Sequence, residues 1–216
     1  MGKTALLIGA TGLVGEQCLN ELLLSNAYEK VTALTRKKLP LTHPKLENIV
    51  TYFENLESLK QKLKADDVYC AMGTTIGKAG SEAAFRKVDF DIPLRVAKLT
   101  ANNGAKQFLL VSSLGADANS SIFYSRVKGE LEEALKTAGF ETVLIFRPSI
   151  LLGDRKERRY GEEIGRFVAE KLPFVFFGPL KKYRGTPVDV LAKQMVHDAQ
   201  QKIKGVRIFE NEEILK

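Results

Sequence analysis

With 216 residues, 44% of them hydrophobic, the chain has enough apolar material for a full core and suits one large domain, or one domain with a small lobe. No stretch approaches the roughly 20 apolar residues of a membrane span, and folding is expected to start by Lys3, which leaves no room for a signal peptide. The net charge of +7 raises nucleic acid as a partner, but nine Lys or Arg against five Asp or Glu crowd between Gly153 and Gly185 without an aromatic-interleaved basic strand or recognition helix, so no nucleic-acid partner is expected and the excess reads as a solvated face that attracts anionic ligands.

The first predicted elements are a strand from Ala5 to Ile8 and an amphipathic helix from Leu13 to Leu24, with no linker between them. Their junction reads Gly9-x-x-Gly12-x-x-Gly15. Gly9 allows the tight turn, Gly12 lets a phosphate approach the backbone without meeting a side chain, and Gly15 lets the helix pack closely on the strand. The free N–H groups of the helix start carry partial positive charge and favour a pyrophosphate. Gly9, Thr11, Gly12, Leu13, Val14 and Gly15 are therefore candidate dinucleotide contacts, the alternative being glycines that serve packing alone.

Lys30 to Arg36 reads as the second strand. About 20 positions after the glycines, where an NAD-selective domain places an acidic residue, stands Thr35-Arg36-Lys37-Lys38. A guanidinium pairs bidentately with a 2′-phosphate, so NADP(H) is expected over NAD(H), with Arg36 the main determinant and Lys37 supporting it. The alternative is an exposed basic turn.

Pro40 and Pro44 mark a loop, Glu47 to Phe53 reads as the third strand, and Leu56 to Leu63 as a short lysine-rich helix. Asp67 to Met72 is a buried strand that ends at Gly73-Thr74-Thr75. In a doubly wound sheet this strand end lies beside the first glycine loop, so Gly73, Thr74 and Thr75 are either further cofactor contacts or a small-residue turn. Ser81 to Asn103 is one long helix, with Pro93 a point where it could break and Asn102-Asn103-Gly104 closing it. Lys106 to Ser113 is the fifth strand, running into Ser112-Ser113 at the end of the sheet that carries the ligand. Cys18 and Cys70 fall inside a helix and a strand and read as reduced core residues of a cytoplasmic protein. His43 and His197 are isolated, and no metal site is expected.

Tyr124 and Lys128 are four residues apart and share one helical face, with Leu131 and Leu135 continuing a buried stripe nearby. An unperturbed tyrosine is a poor acid–base catalyst at neutral pH, but a neighbouring ammonium stabilises its phenolate and brings it closer to the working range. Ser113 would then hydrogen-bond a substrate carbonyl, although the choice between Ser112 and Ser113 stays open. The bland alternative for Tyr124 and Lys128 is a solvated helix pair.

Five segments in order carry a resemblance to a known family: Gly9-Ala10-Thr11-Gly12-Leu13-Val14-Gly15, the run Gly73 to Gly80, Ser112-Ser113-Leu114-Gly115-Ala116-Asp117, Tyr124-x-x-x-Lys128-Gly129-Glu130, and Phe146-Arg147-Pro148 through Arg155. The chain resembles an atypical short-chain dehydrogenase/reductase, of the small branch similar to a Tat-interacting tumour-suppressor protein of mammals. The resemblance implies an α/β fold with a doubly wound, mostly parallel sheet, the NAD(P)-binding Rossmann fold, and a catalytic triad of Ser113, Tyr124 and Lys128. In that family the tyrosine gives a proton to the carbonyl oxygen while hydride arrives from the nicotinamide, and the lysine also holds the nicotinamide ribose. The loop after the sixth strand, at Pro148 and Ile150, is implied to contact the nicotinamide through its backbone. Many relatives carry an asparagine in the long helix where this chain has Asp89, which puts a proton relay through that residue in doubt.

Beyond the sixth strand, Glu141 to Arg147, a helix is expected over Arg158 to Lys171, an apolar loop over Leu172 to Pro179, a helix over Pro187 to Lys202, and an edge strand at Val206 to Phe209. The cluster from Phe174 to Phe177 reads as core of the lobe, a substrate wall or, last, a membrane contact. The organisation expected is thus a single domain, residues 1–216, with a small substrate-side lobe within 148–190. Two functions are open: an NADPH-dependent carbonyl reductase acting on a small or medium apolar carbonyl substrate, and an NADPH-binding, redox-sensing regulatory protein with a protein partner and little turnover. Oligomeric state is not fixed, a homodimer through the exposed faces of the long helices being the pairing that related folds use.

Overall fold

In the computed structural model, the described residues are 2–153 and 183–216. The helix Arg158 to Lys171, the apolar loop Leu172 to Pro179 and the Phe174 to Phe177 cluster lie outside them.

Seven parallel strands form one sheet: β1 (Lys3–Ile8), β2 (Tyr28–Thr35), β3 (Leu46–Val50), β4 (Asp67–Cys70), β5 (Gln107–Val111), β6 (Thr142–Arg147) and β9 (Gly205–Glu210). Their spatial order is β3-β2-β1-β4-β5-β6-β9, so the chain starts in the middle, winds outward one way, returns, and winds outward the other way. Two further two-residue strands, β7 (Leu151–Leu152) and β8 (Thr186–Pro187), pair with each other.

Strand alternation divides the core. Ala5 and Leu7 face one side with Val14, Cys18 and Leu22 of α1 (Leu13–Leu24) and Leu191 and Met195 of α6 (Val188–Asp198). Leu6 and Ile8 face the other side with Val96 of α4 (Ile92–Asn102) and Leu131 and Leu135 of α5 (Phe123–Lys136). Full burial of each such leucine or isoleucine contributes about 1.5–3 kcal/mol, enough to hold helices with modest intrinsic propensity against both faces. Adjacent β1 and β4 send their C-terminal loops toward opposite faces, and the crevice between those loops is the position where sheets of this kind bind ligands.

The α1 boundaries agree with expectation, and both cysteines are free and buried. Other boundaries shift for physical reasons. The second strand starts earlier and stops at Thr35, leaving Arg36 in the turn. The third strand ends at Val50 rather than Phe53, because Phe53 takes a left-handed backbone (φ 68°) that drives its ring into the core while Arg95 donates to the carbonyls of Phe53 and Glu54. The lysine-rich segment forms only a 3₁₀ turn, Glu57–Lys62. The fourth strand stops at Cys70, and helix α6 stops at Asp198 rather than Lys202.

The long helix does not break at Pro93. After a separate short helix, α2 (Ile76–Ala79), that left-handed Gly80 closes, it starts at the Ser81 cap and runs as α3 (Glu82–Arg86), a wider π turn over Lys87–Asp91, and α4. In that turn the N–H of Ile92 bonds to the carbonyl of Lys87, and the extra width admits a proline ring that has no N–H of its own to pair. The turn also sets Asp89 on the inner side.

Candidate functional site

The glycine turn has the geometry that its spacing implies. Gly9 has φ 89°, and a Cβ there would sit 2.5 Å from the Ala71 carbonyl. A Cβ on Gly15 would meet the Gly9 oxygen at 2.0 Å, so helix and turn touch through backbone. Gly12 is the exposed one: its N–H donates to Gly9 O at 2.9 Å, and as the first cap residue of α1 it has no side chain to occupy the helix's free N–H groups. An anionic group therefore has room and donors at this place. Thr11 is exposed and Leu13 half-buried, whereas Val14 packs into the core and offers a ligand only its backbone.

Arg36 and Lys37 are exposed at the C-terminal end of β2. Their turn is fastened by a residue that sequence reasoning passed over: Asn48 of β3 donates to the Ala33 carbonyl (3.1 Å) and to Thr35 Oγ1 (2.7 Å) and accepts from the Leu39 N–H (2.8 Å). An asparagine inside a strand was the available signal, since strands disfavour it.

Gly73, Thr74 and Thr75 follow β4 directly beside the first turn, where the Ala71 N–H donates to Ile8 O. Thr75 caps α2, and the Thr74 N–H donates to Asp89 Oδ2 at 2.9 Å. Asp89 Oδ1 lies 2.8 Å from Lys128 Nζ, and the two residues are 1% and 5% exposed. A Cβ on exposed Gly73 would fall 3.3 Å from that carboxylate and 3.4 Å from the ammonium, so this glycine forms a thin cover over the ion pair. Burial works against the Lys128 charge, but Asp89, with Tyr124 adding, outweighs it and holds the ammonium above the ordinary lysine range.

Tyr124 stands half-buried one turn before Lys128, its ring 5.5 Å from that of Phe85. The helix is pressed onto the loop after β5 at Gly129, where a Cβ would lie 2.2 Å from Ala118 N. Of the two serines, Ser112 is buried and gives its hydroxyl to Glu132, while Ser113 is half-buried with a 3.3 Å contact to the Leu114 carbonyl. Glu132 also takes Arg147 in a two-pronged pair, Nη2–Oε2 2.6 Å and Nε–Oε1 3.1 Å, and Arg147 reaches Glu210 at 2.9 Å. This clamp between α5 and β6 was missed, although a glutamate one turn after Lys128 on an otherwise apolar stripe could have pointed to it. Pro148 carries it onward: its carbonyl accepts from the Leu114 N–H at 2.9 Å, and Ile150 is exposed next to it.

Among the described residues no cluster could hold a metal ion, and no helix is long and apolar enough to cross a membrane.

A family model described as NAD(P)H-binding matches residues 9–167. The chain is 39% identical over 175 residues to protein HTATIP2 of Rattus norvegicus, covering 79% of this chain and 72% of the rat protein. It is 35% identical over 212 residues to the protein FMP52, mitochondrial, of Candida albicans, covering 92% and 89% of the two chains. Among solved structures, Bordetella bronchiseptica WbmH in complex with NAD+ superposes with a TM-score of 0.74 at 14% identity, covering 97% of this chain and 76% of that one. The expectation of a cytoplasmic protein is corrected by these names: relatives in several fungi are designated mitochondrial, and composition and cysteine usage could not distinguish the two compartments. With a seven-stranded parallel sheet, a glycine turn open to phosphate and a family match over most of its length, the chain belongs to the NAD(P)H-binding Rossmann-fold family.

Proposed function

We propose that the protein is an NADPH-dependent oxidoreductase of the carbonyl-reductase type that works through Ser113, Tyr124 and Lys128. The observation that carries this reading is that one end of the sheet gathers an open glycine turn, the half-buried Ser113 hydroxyl, and Tyr124 one turn from a buried, charged Lys128.

The glycine turn, with Thr11 and the N–H groups of Leu13 and Val14, would hold the pyrophosphate; Arg36 and Lys37 would hold the 2′-phosphate. Gly73, Thr74, Thr75, Lys128 and the backbone at Pro148 and Ile150 would border the nicotinamide half. Bound there, the reduced nicotinamide supplies hydride. Ser113 donates a hydrogen bond to the carbonyl oxygen of a small or medium apolar substrate, and Tyr124 passes its phenolic proton to the same oxygen. Water returns that proton to Tyr124, and Lys128 lowers the cost of the phenolate between the two events. Substrate selection falls to the small lobe within 148–190 of the single domain.

The test follows NADPH oxidation by its near-ultraviolet absorbance over a panel of aldehydes, ketones and quinones. Tyr124→Phe is expected to lower turnover by about 10²–10⁴-fold with NADPH affinity retained, and NADH is expected to bind at least about tenfold more weakly than NADPH. Equal affinity for the two cofactors would remove the role of Arg36. Tight NADPH binding with no turnover on any compound would replace the reductase with a cofactor-gated binding protein.

A further inference from the structure

We propose that Asp89 is a positioning residue that fixes Lys128 and the Gly73–Thr75 loop to each other, so that cofactor affinity and the charge of the lysine depend on one buried carboxylate. The proposal rests on the reading of Lys128 as a cofactor-contacting residue. Asp89 has one oxygen on each partner: Oδ1 at 2.8 Å from Lys128 Nζ and Oδ2 at 2.9 Å from the Thr74 nitrogen. Neither partner has slack. Lys128 is buried on α5, itself held against the β5 loop at Gly129, and Thr74 begins the turn that Thr75 caps.

The π turn supplies the reach. Pro93 cannot continue a regular helix without relief, and the widened turn that relieves it carries Asp89. The titratable groups facing Lys128 are Asp89 from that turn, Cys70 from β4 and Tyr124 from its own helix. Burial pushes the Cys70 thiol up to about 11, so it is neutral at working pH, and Asp89 is the counter-charge. A cation one turn from Tyr124 is therefore kept charged by a partner reaching it from outside its own helix. Without the carboxylate, the buried ammonium loses its proton at lower pH, and any charge it retains acts undiluted on Tyr124. Both effects move the alkaline limb of function in the same direction.

The experiment is a fluorescence titration of NADPH against wild type and Asp89→Asn from pH 6 to 10, with kcat/KM measured over the same range on any substrate found. The asparagine can still accept from the Thr74 N–H, so the change removes charge rather than shape. Wild-type NADPH affinity is expected to hold to the top of this range, whereas Asp89→Asn is expected to show an alkaline midpoint inside it, about one to three pH units below that of wild type, with affinity at low pH near the wild-type value. Identical pH profiles for the two proteins would overturn the proposal. Because binding needs no chemistry, a shifted midpoint in an enzyme without turnover would sink the reductase reading and leave this one standing. Should Asp89→Asn fail to fold, the Asp89→Asn, Lys128→Met double variant is expected to fold again, since neither charge is then stranded; a double variant as unfolded as the single one would equally overturn the proposal.

Discussion

Each end of the sheet buries an aspartate, and the two are used differently. Asp67, at the N-terminal end, receives the Tyr28 hydroxyl at 2.6 Å and Lys3 Nζ at 3.1 Å. Tyr28 in turn meets the Tyr69 hydroxyl at 2.7 Å and accepts from Gln200 at 2.9 Å, while Lys3 and Gln107 both donate to the Ala199 carbonyl. Burial pushes the Asp67 carboxyl above its ordinary range, and the phenols of Tyr28 and Tyr69 are raised as well, chiefly by burial and then by their charged or polar neighbours. The network stitches β1, β2, β4 and β5 to the segment after α6; its centre, Asp67, Tyr28 and Tyr69, is buried, with Lys3 and Gln200 closing it at the surface. Asp89, at the C-terminal end, holds one ammonium and one backbone N–H beneath an exposed glycine. A shifted, buried charge is thus no pointer to function by itself; the pointer is a buried charge at the strand ends where loops splay and backbone is open.

The largest way to break the contrast lies on the site side. Gly129→Ala would place its Cβ 2.2 Å from Ala118 N and 2.3 Å from Asp117 C, backbone that has nowhere to go. A loss of about 3 kcal/mol or more is expected from denaturant midpoints, with turnover falling as α5 lifts from the serine loop. Gly77→Ala, with nothing within 4 Å, is the control and should be neutral or slightly stabilising. The smaller effect lies at the far end. Tyr28→Phe removes a hydroxyl that serves Asp67, Tyr69 and Gln200 and should cost about 1–3 kcal/mol of stability, with NADPH affinity and kcat as in wild type. Weakened NADPH binding in Tyr28→Phe would show that the two ends are not separate.

Much of the site was legible because its signals are local. A glycine every third residue between an apolar run and an amphipathic helix needs no distant partner to be understood, and neither does a tyrosine four residues before a lysine. What escaped depends on contacts between segments far apart in sequence. The end of β3 is set by Arg95 holding a left-handed Phe53, the Arg36 turn by Asn48 on the neighbouring strand, and the π turn by a compromise between Pro93 and the helix before it. Ser112 and Ser113 look alike in sequence, and the structure separates them: Ser112 is buried with Glu132 reaching it from α5, and Ser113 is half-buried.

Hydrogen exchange with and without NADPH tests most directly which end of the sheet is the working one. Protection is expected in the peptides spanning residues 9–16, 36–39 and 73–78, the glycine turn, the basic turn and the Asp89-tethered loop. No change is expected around Thr4, Lys30, Lys64 and Asp66, which line an open depression of about 510 Å³ at the opposite end. Protection confined to that depression, or none at the glycine turn under saturating NADPH, would contradict the account.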